Sequence, residues 1–578
     1  FLRTNPAVDV AVHGEGEAVF LGILERVETR DWSGLPSISY LADDGGYVQS
    51  PRAPRIAALE QVPSPYLTGV FEPLFRAYPD SVWFTMLETN RGCPFSCTYC
   101  DWGSAVATKV RQFDMDRVRR EVDWLSEKQV EYVFCCDANF GMFPRDLEIA
   151  RHVGTRRRDS GYPIVFATQA TKNATERSYA VQMAMAEDGV QGAVTISYQS
   201  MDPHTLKLVK RQNISLASFS DLHARYVRAG IPTYTDMILG LPGETYESYT
   251  RGLETVIAGG QHSRIAFYDC ALLPNAEMAS PESRAVHGLL TVPQRIIETH
   301  SPVVPALAEE DDVPEFLECV VGTNSMPPED WRRAKVHVWW LELLYFDRLF
   351  QVPMVIAAAE YGVSSRAMVE VVMGADEALF PTITGITARF TDRARRVSDG
   401  EPQLSRTDTE PNVWWPVDQV ELIDLLRNWK LETLYRELEE LLGSHLQTVA
   451  EAFRPALWAS AVELNRRLLV RPFYFVDLEW EVDEDVWAYY LDIISMRPAT
   501  LRPVKTRYQV IRTHPSFRSL TDWCEYLILC QNHKEGYIYP LVSTPLVAGE
   551  GEAPTVHEPP RIRMPLPILM KEEVHGAA

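Results

Sequence analysis

Cys93-Pro94-Phe95-Ser96-Cys97-Thr98-Tyr99-Cys100 places three cysteines within eight residues, at spacings of four and then three. The stretch follows Leu87-Glu88-Thr89-Asn90-Arg91-Gly92, the exit of a run over 82–88 that reads as a strand. Thiolates so spaced on a loop gather around one point and suit three of the four irons of a cubane cluster. The fourth iron is then open to a non-protein ligand. Cys93, Cys97 and Cys100 are therefore the candidate metal ligands. A zinc knuckle would need a fourth ligand at regular spacing, such as a second Cys-x2-Cys or a His pair. The nearest alternative, Cys135-Cys136, is a pair of neighbours that cannot easily both ligate one zinc. Three buried, inert cysteines are the remaining reading.

The other cysteines are Cys135, Cys136, Cys270, Cys319, Cys524 and Cys530, an odd total of nine. That pattern points away from a disulfide framework and toward a reducing, cytoplasmic compartment. A chain of 578 residues exceeds one ordinary core and should form roughly two to four domains. Its formal net charge of −23 repels phosphate backbones, which disfavours a nucleic-acid partner. No apolar run is long enough to span a bilayer, so no membrane partner is expected. Phe1-Leu2-Arg3-Thr4-Asn5-Pro6 lacks the layout of a signal peptide. A first residue other than Met reads as a chain that has lost upstream sequence.

Outward from the cysteine stretch, strand patterns at 82–88, 131–136, 163–168, 192–198, 233–240 and 264–271 alternate with helix patterns. The helices fall near 115–128, 145–159, 175–188, 216–229 and 245–258. Such alternation implies a parallel sheet with right-handed crossovers. Six units are too few for an eight-fold barrel and fit a partial one, with functional loops after the strands' C-terminal ends. Residues 8–29 read as strand, glycine turn and helix, like the last unit of an α/β domain. Residues 30–80 read as a linker with a hairpin at Asp44-Gly45-Gly46. Beyond about 290 the chain reads as mainly helical, over Asp330–Phe350, Pro353–Gly374, Asp418–Leu442 and Leu446–Val470. The tail from Thr544 is Pro- and Glu-rich and reads as extended.

With Tyr99 before its last cysteine, the Cys-x3-Cys-x2-Cys loop resembles the radical S-adenosylmethionine (SAM) superfamily. The resemblance implies an α/β fold with a partial (β/α)6 barrel. It also implies a [4Fe–4S] cluster whose open iron chelates SAM through amino and carboxylate groups, and reductive cleavage of SAM to a 5′-deoxyadenosyl radical. Later strand ends extend the likeness. Phe134-Cys135-Cys136-Asp137-Ala138-Asn139-Phe140 stands where the superfamily often has Gly-Gly-Glu, so Asp137 and nearby carbonyls are expected to meet the SAM amino group. Ser197-Tyr198-Gln199-Ser200 puts Ser197 and Gln199 toward its ribose and carboxylate. Asp236-Met237-Ile238-Leu239-Gly240 resembles the element beside adenine, and so adds Asp236 and Gly240 to Tyr99 in the expected SAM set. Ordinary strand ends and turns are the alternative at each position, Gly240 and Gly243 included.

Val12-His13-Gly14-Glu15-Gly16-Glu17, followed by a helix, resembles the end of the Rossmann-like cobalamin-binding domain that precedes the barrel in one large radical SAM class. Pro63-Ser64-Pro65-Tyr66-Leu67-Thr68-Gly69 resembles that class's linker. Cys100-Asp101-Trp102-Gly103-Ser104, with Lys109-Val110-Arg111, resembles its extended cysteine motif. Gly14, Glu15 and Gly16 are then expected cobalamin contacts, with a plain strand-to-helix connection as the other reading.

The implied organisation is the end of a cobalamin-binding domain at 1–30, a linker at 31–80, the barrel at 81–285 and a mainly helical lid or substrate domain at 286–578. The implied activity is C-methylation of an unactivated carbon in a small natural-product intermediate or peptide, with cobalamin carrying the methyl group. The catalytic side chains stay unassigned. A one-electron reductant such as flavodoxin or ferredoxin is the expected partner. A non-methylating rearrangement or cyclisation would use the same two cofactors and stays open at this point.

Overall fold

The computed structural model describes residues 1–102, 107–171, 176–190, 193–300, 314–408, 413–472, 478–512, 517–529, 538–546 and 555–557. Gly103, Ser104, Cys530 and the rest of the Pro-rich tail lie outside the described residues. The chain divides into two compact units.

The first unit holds Phe1–Ser96 and Cys100–Thr171, with residues 183–190. It opens with β1 (Val10–Val12), α1 (Glu17–Leu24), β2 (Ile38–Leu41) and β3 (Tyr47–Gln49). The strand, glycine turn, helix and hairpin expected here are all present. The partner of β1 is the hairpin itself, in an antiparallel β1–β2–β3 sheet. Val19 of α1 packs with Trp32, Leu35 and Ile38 in a small separate core.

After α2 (Glu72–Ala77) come β4 (Phe84–Leu87), β5 (Asn90–Arg91), β6 (Arg111–Gln112), α3 (Met115–Glu127), β7 (Tyr132–Phe140), α4 (Pro144–Ser160) and β8 (Val165–Ala170). β4, β7 and β8 are parallel, with Phe84 opposite Tyr132 and Tyr132 opposite Val165. The Asp114 carboxylate caps α3 by accepting from the backbone N–H of Asp116 and Arg117, which satisfies two otherwise unpaired donors. Along β7, Val133, Cys135, Asp137 and Asn139 alternate as buried positions. The two-residue period of a strand therefore sets Asp137 and Asn139 on one face.

The second unit takes Cys97–Tyr99, the first part of α5 (Glu176–Glu187) and the chain from residue 193 onward. β9 (Val194–Thr195), α6 (Pro203–Leu208), α7 (Leu216–Arg228), β10 (Thr233–Leu239), α8 (Tyr246–Ala258) and β11 (Ile265–Asp269) continue the repeat. Their strands are parallel in the order β9–β10–β11. All six strand patterns and five helix patterns read from the sequence have a counterpart in these two units, within a few residues except at β9, which keeps only two of its seven expected positions.

β12 (Ala271–Leu272), α9 (Pro281–His287), β13 (Leu290–Arg295) and β14 (Phe316–Gly322) follow, with antiparallel order β12–β14–β13. Then come α10 (Pro328–Leu341), α11 (Gln351–Tyr361), α12 (Ser365–Met373), α13 (Pro381–Ser398), α14 (Val417–Arg427), α15 (Leu431–Val449) and α16 (Pro455–Leu468). The expected helix over Pro353–Gly374 is two. Gly362 ends the first at φ 67°, and the Ser364 side chain caps the second by accepting from the Ala367 N–H. The expected helix over Asp418–Leu442 also breaks, at Trp429 with φ 56°, and its second part runs on to Val449.

β15 (Glu479–Val482), α17 (Val486–Ile494), β16 (Thr506–Val510), β17 (Leu541–Pro545) and β18 (Thr555–His557) close the description with a four-stranded antiparallel sheet. This sheet qualifies the mainly helical reading. Thr506 and Tyr508 are buried while Arg507 and Gln509 are exposed, a short period-two pattern overshadowed by the long helical runs before it.

Candidate active site

The cysteine loop leaves β4 and is closed at its neck. β5 and β6 pair antiparallel, Asn90 with Gln112 and Arg91 with Arg111. Above this neck the Thr108 N–H donates to the Cys93 carbonyl at 2.8 Å, and the Ala107 N–H to that of Phe95 at 2.7 Å. Gly92 sits at φ 125°, where a Cβ would lie 2.8 Å from the Lys109 carbonyl oxygen and 3.0 Å from the Val110 Cα. Only glycine suits both this backbone conformation and this approach.

Asp137 braces the loop entrance. Its buried carboxylate accepts from the backbone N–H of Thr89 at 2.8 Å and of Asn90 at 3.0 Å, from Asn90 Nδ2 at 2.5 Å, and from the Thr89 hydroxyl. Burial still pushes its pKa up to about 6, against the pull of those bonds. Four internal donors occupy the two oxygens, so the side chain serves the strand exit.

Two residues on, Asn139 is 4% exposed. Its Nδ2 donates to Cys93 Sγ at 3.4 Å. Its Oδ1 is buried and accepts no hydrogen bond within the protein. Trp102 donates from Nε1 to the Cys136 carbonyl at 2.9 Å.

Glu15 and Arg91 tie the N-terminal turn to the neck. Glu15 Oε1 lies 2.5 Å from Arg111 Nη2, 3.3 Å from Arg55 Nε and 3.8 Å from Arg91 Nη1. Glu15 Oε2 accepts from the Ile56 N–H. Arg91 pairs in turn with Glu17 at 2.8 Å and in bidentate fashion with Glu88 at 2.9 and 2.8 Å. These carboxylates raise the pKa of Arg91 above its ordinary value, Glu88 foremost. The flanking glycines differ from Glu15: a Cβ at Gly14 or Gly16 would meet only open space.

In the second unit, Cys97–Tyr99 is pinned on both sides. The Thr98 N–H donates to the Val209 carbonyl at 3.1 Å, and its carbonyl accepts from the Met278 N–H at 2.8 Å. Tyr99 packs against Val209, Leu241, Cys270, Leu272, Met278 and Val320. The Tyr99 hydroxyl accepts from Arg211 Nη1 at 3.2 Å, and burial pushes its pKa up.

Arg211, 5% exposed, also donates from Nε to the Tyr198 carbonyl at 3.2 Å and from Nη2 to the Ser197 carbonyl. The Ser197 hydroxyl donates to Asp236 Oδ2. Asp236 Oδ1 is buried without a hydrogen-bond partner, and burial raises the pKa of this carboxyl. Gln199 bridges to β10 through its backbone, its N–H donating to the Asp236 carbonyl at 2.8 Å, and holds φ at 68°. Gly240, at φ 93°, carries the chain out of β10. Glu244 just beyond accepts from the Ser200 hydroxyl at 2.6 Å, and complete burial lifts its pKa to about 8.

Thus Tyr99, Ser197, Gln199, Asp236 and Gly240 share one connected neighbourhood, and Arg211 holds it together. Arg211 and Asn139 escaped sequence reasoning. The signal for Asn139 was its place two residues after Asp137 on the same strand face. For Arg211 it was a cation soon after a strand exit rich in carbonyls.

Cys93 and Cys97 are buried and Cys100 is half-buried, and the described cysteines form no disulfide. Among the described residues, no three His, Cys, Asp or Glu side chains group tightly enough to hold one metal ion. A cubane spreads its cysteine ligands over separate irons and does not require such a grouping. The amide donor on Cys93 and the orphaned Asn139 Oδ1 fit a thiolate-bound cluster carrying a polar cosubstrate.

Residues 87–254 match the Radical SAM superfamily. The span runs from the end of β4 into α8 and so takes in the cysteine loop and the strand exits just described. Domains of this class use a [4Fe–4S] cluster and SAM.

Over 335 residues the chain is 38% identical to 2-(S-pantetheinyl)-carbapenam-3-carboxylate methyltransferase of Streptantibioticus cattleyicolor, covering 57% of this chain and 48% of that one. Over the same length and shares it is 36% identical to the cobalamin-dependent radical SAM methyltransferase TokK of Streptomyces tokunonensis. The chain thus spans about half the length of these curated relatives. Among solved structures, TsrM from Kitasatospora setae with cobalamin and a [4Fe–4S] cluster bound matches with a TM-score of 0.41 at 16% identity, over 68% of this chain and 79% of that one.

Proposed function

We propose that this chain is the catalytic part of a cobalamin-dependent radical SAM C-methyltransferase acting on a small natural-product intermediate. The observation that carries this reading is the 38% and 36% identity, over 335 residues, to two methyltransferases, on a chain whose three-cysteine loop is complete. When bound, the cluster supplies the electron that cleaves SAM, and cobalamin carries the methyl group.

In this reading Cys93, Cys97 and Cys100 hold the cluster. Asn139 Oδ1 takes the role expected of Asp137, as acceptor for the SAM ammonium, because Asp137 is already saturated by Thr89 and Asn90. The unpartnered Asp236 Oδ1 accepts from the ribose or a substrate hydroxyl, with Ser197 fixing its rotamer. Tyr99 presents its ring edge, and Arg211 keeps Tyr99 and the Ser197 carbonyl in place. Gly14 and Gly16, open at their Cα positions, offer backbone to cobalamin, while Glu15 braces the loop neck. A radical attacks whatever lies near, so these groups serve by orientation and by exclusion of water.

The domain limits 1–30, 31–80, 81–285 and 286–578 belong to this reading, as do a flavodoxin- or ferredoxin-type reductant and a cytoplasmic setting. Among the described residues, no helix is long and apolar enough to cross a membrane. The acidic net charge of −23 supports a small-molecule substrate over a nucleic acid.

The test is anaerobic. The chain, extended to the length of its relatives, is reconstituted with iron, sulfide and hydroxocobalamin, then given reductant, methyl-deuterated SAM and a 2-(S-pantetheinyl)-carbapenam-3-carboxylate. The expected products are 5′-deoxyadenosine, S-adenosylhomocysteine and a carbapenam heavier by one labelled methyl. Deoxyadenosine without S-adenosylhomocysteine would overturn the methylase assignment. Absence of both from an intact cluster would overturn catalysis altogether.

A further inference from the structure

We infer that Asn139 sets the reduction potential of the cluster by donating an N–H···S hydrogen bond to Cys93. The inference rests on the cluster reading given above. Nδ2 of Asn139 lies 3.4 Å from Cys93 Sγ, and both side chains are almost fully buried, at 4% and 2% exposure.

The orientation of the amide has a physical reason. Turned the other way, its carbonyl would press a lone pair against a thiolate, whereas the amino group offers a positive hydrogen. The position is also held firmly. Asn139 lies on β7, and the neighbouring inward residue of the same face, Asp137, is locked by four bonds to Thr89 and Asn90. Cys93 is anchored through its carbonyl by Thr108. The backbones that carry donor and sulfur are thus each held in place, and both side chains are short.

Hydrogen bonds to cluster sulfurs tune reduction potentials, and burial increases their effect. The reduced cluster carries one more negative charge than the oxidised one. An N–H dipole aimed at a ligating sulfur stabilises the reduced state more, and so raises the potential. Asn139 is therefore a positioning residue that eases electron entry. Because its Oδ1 has no protein partner, the amide can stay turned toward sulfur without giving up an internal bond.

The test compares reconstituted wild-type chain with Asn139→Ala, Asn139→Asp and Asn139→Ser by EPR-monitored potentiometry, with iron and sulfide content measured on each sample. The expected result is unchanged iron content and a more negative midpoint in Asn139→Ala and Asn139→Asp. Asp removes the donor while keeping the shape, so it should shift at least as far as Ala. Ser, which restores a short donor, should lie nearer wild type. Midpoints equal to wild type in Ala and Asp would overturn the inference. Loss of iron from all three variants would also overturn it, making Asn139 a residue required to hold Cys93. A wild-type chain that binds no cluster would instead defeat the radical SAM reading on which the inference stands.

Discussion

Oε1 of Glu15 accepts a hydrogen bond from Nη2 of Arg111 at 2.5 Å, joining residues 96 apart in the chain. One residue lies in the N-terminal glycine turn and the other in the neck of the cysteine loop. Glu15 is 13% exposed on its side chain and Arg111 is 17% exposed, so solvent screens the pair only weakly. Cutting a charge-assisted bond in such a place strands the partner cations.

Glu15→Gln should therefore lower stability by about 2–3 kcal/mol and reduce iron retention after reconstitution, since Arg91 and Arg111 flank the loop entry and return. Chemical denaturation followed by fluorescence, paired with iron assay, checks both. A variant with wild-type unfolding midpoint and full iron would show that the strap holds nothing.

Gly92→Ala should cost about 3 kcal/mol or more, from a positive φ and a collision with backbone at Lys109. Circular-dichroism melting should show the loss, and the cluster absorbance should fall with it. Normal cluster loading in this variant would mean that the neck opens freely.

Arg211→Lys keeps the charge and forfeits the fork that reaches Tyr99, Ser197 and Tyr198 at once. Binding of SAM should weaken about tenfold, or ~1.4 kcal/mol, with iron content unchanged. Isothermal titration with SAM on the reconstituted chain measures this. An unchanged affinity would remove Arg211 from the SAM neighbourhood.

Glu244 gives a pH prediction. Its pKa in the fold, about 8, lies above the ordinary carboxyl value because it is fully buried. Folding therefore favours the protonated form. The stability this proton contributes is complete below the unfolded pKa, declines as pH rises, and is gone above about 8. Glu244→Gln, which mimics the protonated acid, should gain on wild type by up to roughly 1.4 kcal/mol per pH unit across that window. Parallel stability curves from pH 5 to 8.5 would show that Glu244 is already ionised in the fold.

The cysteine spacing and the positions of the strand exits follow from local pattern, because a strand's period and its glycine-marked end are properties of neighbouring residues. The roles expected of Tyr99, Ser197 and Asp236 came from the family resemblance. Asp137 was chosen for its charge at the expected position. Its saturation by Thr89 and Asn90, 48 and 47 residues away, depends on which strands pair. The resemblance to a cobalamin-binding domain places Glu15 toward a cofactor. That it turns to three arginines is again a matter of long-range placement.

The chain alone determined six β/α repeats, a cysteine loop after the first strand and the helical character of much that follows. Those features arise from periodicity and from residues that start or stop elements, which act over a few positions. Only the tertiary structure decided that Asp137 is occupied, that Asn139 faces Cys93 and that Arg211 ties Tyr99 to the Ser197–Tyr198 segment after β9. Hydrogen bonds and ion pairs form between whichever groups the fold brings within about 3 Å, and no local pattern records that meeting.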